Sequence, residues 1–215
     1  MSMADGIVPE SMYIERAERL LALLRRDFGI PRGTRTVIAV AGESGSGKSV
    51  TALDLAAVLN RDGIGTAIIH QDDYFVRPPR TNHEFREQDI TSVGLQEVQM
   101  DMMLRHISAF RAGEGSIICP TVNYSANRFD IRAIALDGCE VLVVEGTYVL
   151  MIDDADVRVF LEATYEDTAD ARRARNRDID APFVTQVLEI EHSIIARQIE
   201  LADIVISRDY AISRR

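Results

Sequence analysis

Eight residues, Gly42-Glu43-Ser44-Gly45-Ser46-Gly47-Lys48-Ser49, follow directly on the apolar, β-branched run Thr36 to Ala41 and lead into Val50 to Leu59, where apolar residues return at helical spacing. Glycines placed in this way between a buried strand and a helix leave few folds open. They allow consecutive backbone N–H groups to turn inward on one anion, and the helix N-terminus adds partial positive charge. The spacing matches G-x-x-x-x-G-K-[ST], in which the lysine reaches the β and γ phosphates and the hydroxyl joins a Mg²⁺ shell. Of 24 basic residues the single lysine is Lys48; the other 23 are arginines. Residues Gly42, Glu43, Ser44, Gly45, Ser46, Gly47, Lys48, Ser49 and Val50 are therefore the candidate nucleotide-binding set, with Ser49 a candidate metal ligand.

The rest of the chain alternates in type. Apolar residues at Ile14, Ala17, Leu20, Leu21, Leu24 and Phe28 predict a helix over Met12 to Phe28, stopped by Gly29 and Pro31. Thr66 to His70 reads as a strand, Gln71 to Arg86 as an irregular loop, and Leu95 to Phe110 as a helix. Further on come a short strand over Ser116 to Cys119, strands over Glu140 to Val144 and Val157 to Leu161, a charged helix over Asp167 to Asp178, a longer helix over Pro182 to Leu201, and a last short strand over Ile204 to Ile206. Strands alternating with helices predict an α/β fold, a three-layer sandwich with a mostly parallel sheet and helices on both faces. A chain of 215 residues is read as one domain, 1–215, with an N-terminal helix within 1–30. Cys119 and Cys139 read as small core residues.

Charge and hydropathy exclude several classes of function. With a net charge of −10 and no stretch rich in Lys or Arg except a short arginine cluster near residue 175, duplex nucleic acid is not expected as a partner. No apolar run approaches the ~18 residues of a membrane span, and the first ten residues lack a basic segment followed by an apolar one, so the expected location is cytoplasmic. His70, His83, His106 and His192 have no metal-ligand spacing. The guanine-reading N-K-x-D motif and an L-S-G-G-Q-like segment are both missing, which weighs against a GTPase switch and a transporter ATPase.

Acidic residues end two of the strands: Asp72 and Asp73 follow TAIIHQ, and Glu145 follows EVLVV. Ligands of open α/β sheets bind at the carboxyl ends of the strands, so these acids are expected to converge on the phosphate loop. Phosphoryl transfer needs one acid to position or deprotonate the acceptor hydroxyl and another to hold the metal. Asp72 is the candidate base and, with Glu145 and Ser49, a candidate metal ligand.

The order of Gly42 to Ser49, Gln71-Asp72-Asp73-Tyr74-Phe75, Pro120 to Arg128, Val144-Glu145-Gly146 and Arg172 to Asp178 resembles the uridine kinase, phosphoribulokinase and pantothenate kinase superfamily of P-loop kinases, most of all its uridine kinase branch. The resemblance implies that Asp72 is the catalytic base. It also implies an arginine-rich lid over about 166–182, in which Arg173 and Arg177 act with Lys48 in catalysis and Arg172 and Arg175 hold the nucleotide. Arginine suits such contacts because its planar fork meets phosphate oxygens two at a time. Tyr74, Phe75, Asp89, Tyr124 and Arg128 join Asp72 as candidate acceptor-site residues. The activity implied is ATP- and Mg²⁺-dependent transfer of the γ-phosphoryl group to a hydroxyl of a small metabolite. A nucleoside-like acceptor comes first, and a sugar, glycerate or pantothenate-like alcohol second. A nucleotide-binding regulator without transfer and a nucleoside monophosphate kinase are less favoured by these residues, and a homo-oligomer is compatible with each of these functions.

Overall fold

A computed structural model describes residues 11–31, 33–169 and 182–215. The central sheet has the order β2-β5-β1-β6-β7-β8, from β1 (Thr36–Gly42), β2 (Gly65–His70), β5 (Cys139–Gly146), β6 (Val157–Leu161), β7 (Ile204–Ile206) and β8 (Ile212–Arg214). Its pairs are parallel except β7 with β8, which run antiparallel. All seven residues of β1 are buried. Flanked by β5 and β6 and covered on both faces, such a strand has no polar side, which is why its sequence runs apolar without alternation.

The pleat divides β1 between two cores. Ile38 and Val40 pack with Leu20, Leu24, Leu55 and Leu59 from α1 (Ser11–Phe28) and α2 (Lys48–Arg61). Val37, Ala39 and Ala41 face the other way, toward Met103, Ile107 and Phe110 of α4 (Met100–Ala112). Among the described residues, no helix is long and apolar enough to cross a membrane. Cys119 is buried, Cys139 is half-buried, and both are free thiols.

Several boundaries differ from expectation. The stretch Gln71 to Arg86 is no irregular loop: a 3₁₀ turn, Gln71–Tyr74, is followed by α3 (Pro79–Gln88). Pro79 occupies the first helical turn, where its missing N–H costs nothing. The helix escapes a periodicity search because Phe85 is its one large apolar side chain, and the residue it buries is polar, Asn82. The strand expected over Ser116 to Cys119 extends as β3 (Ser116–Asn123) and pairs with β4 (Arg128–Ala135) in a separate antiparallel hairpin. The helix from Pro182 is α5 (Pro182–Ile195), and its last turns tighten into a 3₁₀ segment, Ala196–Leu201. Arg172, Arg173, Arg175, Arg177 and most of the charged helix expected around them lie outside the described residues.

Gly146 shows how tightly the end of β5 is built. A Cβ there would lie 2.3 Å from Gln71 Cβ and 2.6 Å from its Oε1. Gly146→Ala is expected to destabilise by about 1–3 kcal/mol through overpacking, read as a lower midpoint in thermal denaturation; an unchanged midpoint would show that Gln71 yields freely.

Candidate active site

The phosphate loop has the backbone its glycines allow. Gly45 and Gly47 adopt φ of 84° and 92°, a left-handed conformation that side chains with a Cβ resist. Gly47 caps α2, and its carbonyl accepts from Thr51 N at 2.8 Å. The helix thus begins at Lys48, with its free N–H groups directed into the loop. Lys48 is 9% exposed, and its charge acts on Glu145 and Glu191. Burying an ammonium in this way is costly unless an anion accompanies it.

Register brings the acids to this loop. Glu145 pairs in the ladders with Val40 of β1 and with His70 of β2. Its Oε1 accepts from Ser49 Oγ at 3.1 Å and lies 2.7 Å from His70 Nδ1. Burial pushes the Glu145 carboxyl up, but the His70 bond, the charges of His70 and Lys48 and the Ser49 hydroxyl together hold it below its ordinary value. Burial pulls His70 down, and Glu145 more than reverses that. The carboxylate is therefore ionised, and its second oxygen, Oε2, is buried with no hydrogen-bond partner. One ionised carboxylate oxygen left bare beside a serine hydroxyl fits a small hard cation that keeps much of its water, as Mg²⁺ does. Among the described residues, no group of three or more His, Cys, Asp and Glu is arranged to hold a metal by protein ligands alone.

Asp72 and Asp73 part company in the 3₁₀ turn. Gln71 pins the turn to the end of β5, since its Oε1 accepts from Tyr148 N at 2.8 Å and its Nε2 donates to Thr147 Oγ1 at 2.9 Å. Asp73 is buried; its Oδ1 accepts from Val122 N at 2.7 Å, and Arg132 lies 3.8 Å away. It ties the β3–β4 hairpin to the sheet. Asp72 is only half-buried, and the Tyr124 hydroxyl donates to it at 3.4 Å. Of the two adjacent acids, Asp72 is the more exposed.

Several other expected site residues are used structurally. Tyr74 is 1% exposed; its hydroxyl lies 2.7 Å from His106 Nδ1 and donates to Cys119 Sγ at 3.2 Å, so it belongs to the core and not to an acceptor pocket. Phe75 packs against the same core and bridges to Val98. Asp89 caps the 3₁₀ turn Ile90–Ser92, accepting from Thr91 N and Oγ1. Arg128 is exposed on the hairpin and pairs with Asp130 at 2.7 Å. Glu43 turns its side chain out of the loop, toward Tyr165 and His192. Tyr74→Phe removes the hydroxyl's contacts with both His106 and Cys119 and is expected to cost about 1–2 kcal/mol of stability, with KM for the acceptor unchanged; a raised KM would return Tyr74 to the pocket.

A family model described as the phosphoribulokinase/uridine kinase family matches residues 37–209. The chain belongs to this family. Membership makes it a phosphotransferase acting on an alcohol group, and the family's P-loop architecture implies ATP use. The chain is 29% identical over 192 residues to the bifunctional alpha-galactosidase/sucrose kinase AgaSK of Mediterraneibacter gnavus, covering 83% of this chain but only 20% of that much longer protein. It is 28% identical over 186 residues to a uridine kinase of Staphylococcus epidermidis, covering 80% of this chain and 86% of the relative. A solved structure described as a possible uridine kinase from Bacillus stearothermophilus superposes with a TM-score of 0.63 at 18% identity, covering 89% and 97% of the two chains. At that identity the likeness concerns the fold: a mostly parallel sheet flanked by helices.

Within this phosphoribulokinase/uridine kinase family member, five side chains that brace the site belong to no sequence motif: His70, Arg86, Glu97, Glu191 and His192. Arg86 forks onto Glu97 through Nε at 2.6 Å and Nη2 at 2.8 Å, and its Nη2 also reaches Glu191 at 2.9 Å. Glu97, 1% exposed, takes two further donors, Asn82 Nδ2 and Gly94 N. Burial pushes the Glu191 carboxyl up, against the opposing pull of Arg86. The available signal was charge inside an otherwise apolar pattern, such as Glu97 between Leu95 and Val98 or His70 ending TAIIH.

Proposed function

We propose that this chain transfers the γ-phosphoryl group of ATP, with Mg²⁺, to a hydroxyl of a small metabolite. The observation that carries this reading is the half-buried Asp72 carboxylate, open at the carboxyl end of β2, next in the sheet to the ionised Glu145 that ends β5 and accepts from Ser49 of the phosphate loop. In this reading the loop backbone and Lys48 hold the triphosphate, and Ser49 and Glu145 hold Mg²⁺. The metal neutralises charge on the phosphates when bound. Asp72 accepts the proton of the acceptor hydroxyl, and Tyr124 orients its carboxylate. His70 keeps Glu145 ionised and aimed. Arg172, Arg173, Arg175 and Arg177 are the candidates for closing charge around the transferring group, with Arg173 and Arg177 taking the catalytic share.

The acceptor is read first as nucleoside-like, from the uridine kinase relatives. A sugar, glycerate or pantothenate-like alcohol is the second reading, supported for the sugar by the relative that carries a sucrose kinase activity in its name. The deciding experiment is Mg²⁺-dependent ADP release from ATP across nucleosides, sugars, glycerate and pantothenate. Stimulation by one class names the acceptor. Nucleotide binding without stimulation by any of them would favour a regulator that binds but does not transfer.

A further inference from the structure

Two adjacent residues of α5 reach opposite walls of the site. His192 Nδ1 lies 2.6 Å from Glu43 Oε1, and Glu43 Oε2 accepts from Tyr165 N at 2.6 Å. The Tyr165 ring stands edge-on to the His192 ring at 5.7 Å, and Thr168 Oγ1 donates to the Ser44 carbonyl at 2.8 Å. The Glu43 carboxylate is buried even though His192 is not. A carboxylate within an anion-binding loop would repel phosphate, and here it is turned outward and consumed by neighbouring elements.

One residue earlier, Glu191 accepts from Arg86 of α3, and Arg86 forks onto Glu97. The backbone around Glu97 is laced to the stretch that follows Asp72. Val76 N donates to the Glu97 carbonyl at 2.7 Å, Gln99 N to the Tyr74 carbonyl at 2.7 Å, and Gln99 Nε2 to the Phe75 carbonyl at 3.2 Å. A continuous set of bonds therefore runs from the phosphate loop through α5 to the segment bearing Asp72. Successive residues of a helix project about 100° apart, so one rigid turn fixes the angle between the two arms. The fork of Arg86 on Glu97 fixes the guanidinium plane, and short single bonds at 2.9 Å and 2.6 Å join it to Glu191 and join His192 to Glu43.

We propose that Glu191 and His192 are positioning residues that act as a strut, tying the phosphate loop through Glu43 to the Asp72 segment through Arg86 and Glu97, so that nucleotide binding in the loop orders the acceptor wall. The strut rests on the nucleotide-binding reading of the loop. Neither residue needs to touch a substrate. A loop that settles on phosphate holds Glu43, which holds His192 and with it the register of Glu191 against Arg86. Couplings of this kind change the behaviour of the second site by about 5–150-fold.

The test is amide hydrogen exchange on the full chain, with and without Mg²⁺ and the non-hydrolysable analogue AMP-PNP. In the wild type, exchange should slow in residues 43–51 and also, at least about fivefold, in residues 72–76 and 94–99. In His192→Phe, which keeps the ring against Tyr165 but has no nitrogen for Glu43, slowing should persist in the loop and disappear from 72–99, with AMP-PNP affinity little changed. Glu191→Leu breaks the other arm and leaves Arg86 its two bonds to Glu97, so it should give the same split even if the first variant folds poorly. Slowing at 72–99 that survives in both variants would overturn the strut, as would AMP-PNP binding to the wild type with no slowing there. Failure of the wild type to bind AMP-PNP at all would instead overturn the nucleotide reading, and the strut with it.

Discussion

Asp72→Asn is expected to lower kcat by about 10²–10⁴-fold, the usual share of a positioned general base, while KM for ATP stays close to wild type. The amide preserves the size of the side chain and its contact with Tyr124 Oη, but it cannot accept a proton from the acceptor. Asp73 cannot take over, because its carboxylate is buried and spent on Val122 N. The measurement is ADP release at saturating ATP, with whichever acceptor class stimulates the wild type. A variant that keeps full kcat would remove Asp72 from the chemistry and leave the site without a base on the acceptor side.

The second large effect is expected on stability. Glu97→Ala takes the acceptor from four donors at once, Arg86 Nε and Nη2, Asn82 Nδ2 and Gly94 N, at a position that is almost fully buried. Breaking a buried charged pair by removing one partner costs about 3–5 kcal/mol. In a chain of this size that corresponds to a fall in Tm of roughly 6–20 °C. The loss reflects Arg86 Nε, Asn82 Nδ2 and Gly94 N left without acceptors, while Arg86 Nη2 keeps Glu191, more than the intrinsic worth of the pair. Urea and thermal denaturation of the variant check it. A change below about 1 kcal/mol would mean that Arg86 satisfies itself with Glu191 alone.

Legibility in the sequence followed the range of the interaction. The phosphate loop was legible because its glycines, lysine and serine are neighbours in the chain, and the left-handed φ values at Gly45 and Gly47 are local requirements. The strands β1 and β5 were legible because burial on both faces writes continuous apolar runs, and β6 because Arg158 is the one polar residue in its apolar run. Helix α3 was not, because it packs through Asn82, Arg86 and Phe85 and has no apolar stripe. Strand β4 escaped because it alternates half-buried with exposed residues in a two-stranded hairpin outside the main sheet. Tyr74 and Tyr124 looked alike as pocket candidates, and only packing separates them: the first bonds His106 and Cys119 in the core, the second faces Asp72.

By itself the sequence determined that this chain makes a glycine-rich turn between a buried strand and a helix, and that acids end the strands beside it. Those features depend on backbone freedom at glycine and on side-chain pattern, which are properties of short segments. Only the tertiary structure decided that Asp73 is a brace while Asp72 stays open, that His70 partners Glu145 across 75 positions, and that Glu43 turns away from the loop to His192 across 149. Those outcomes depend on the β2–β5 register and on where α5 returns to the sheet. Burial there makes each unpaired charge costly, so the fold selects which carboxylates are buried with partners and which stays partly exposed.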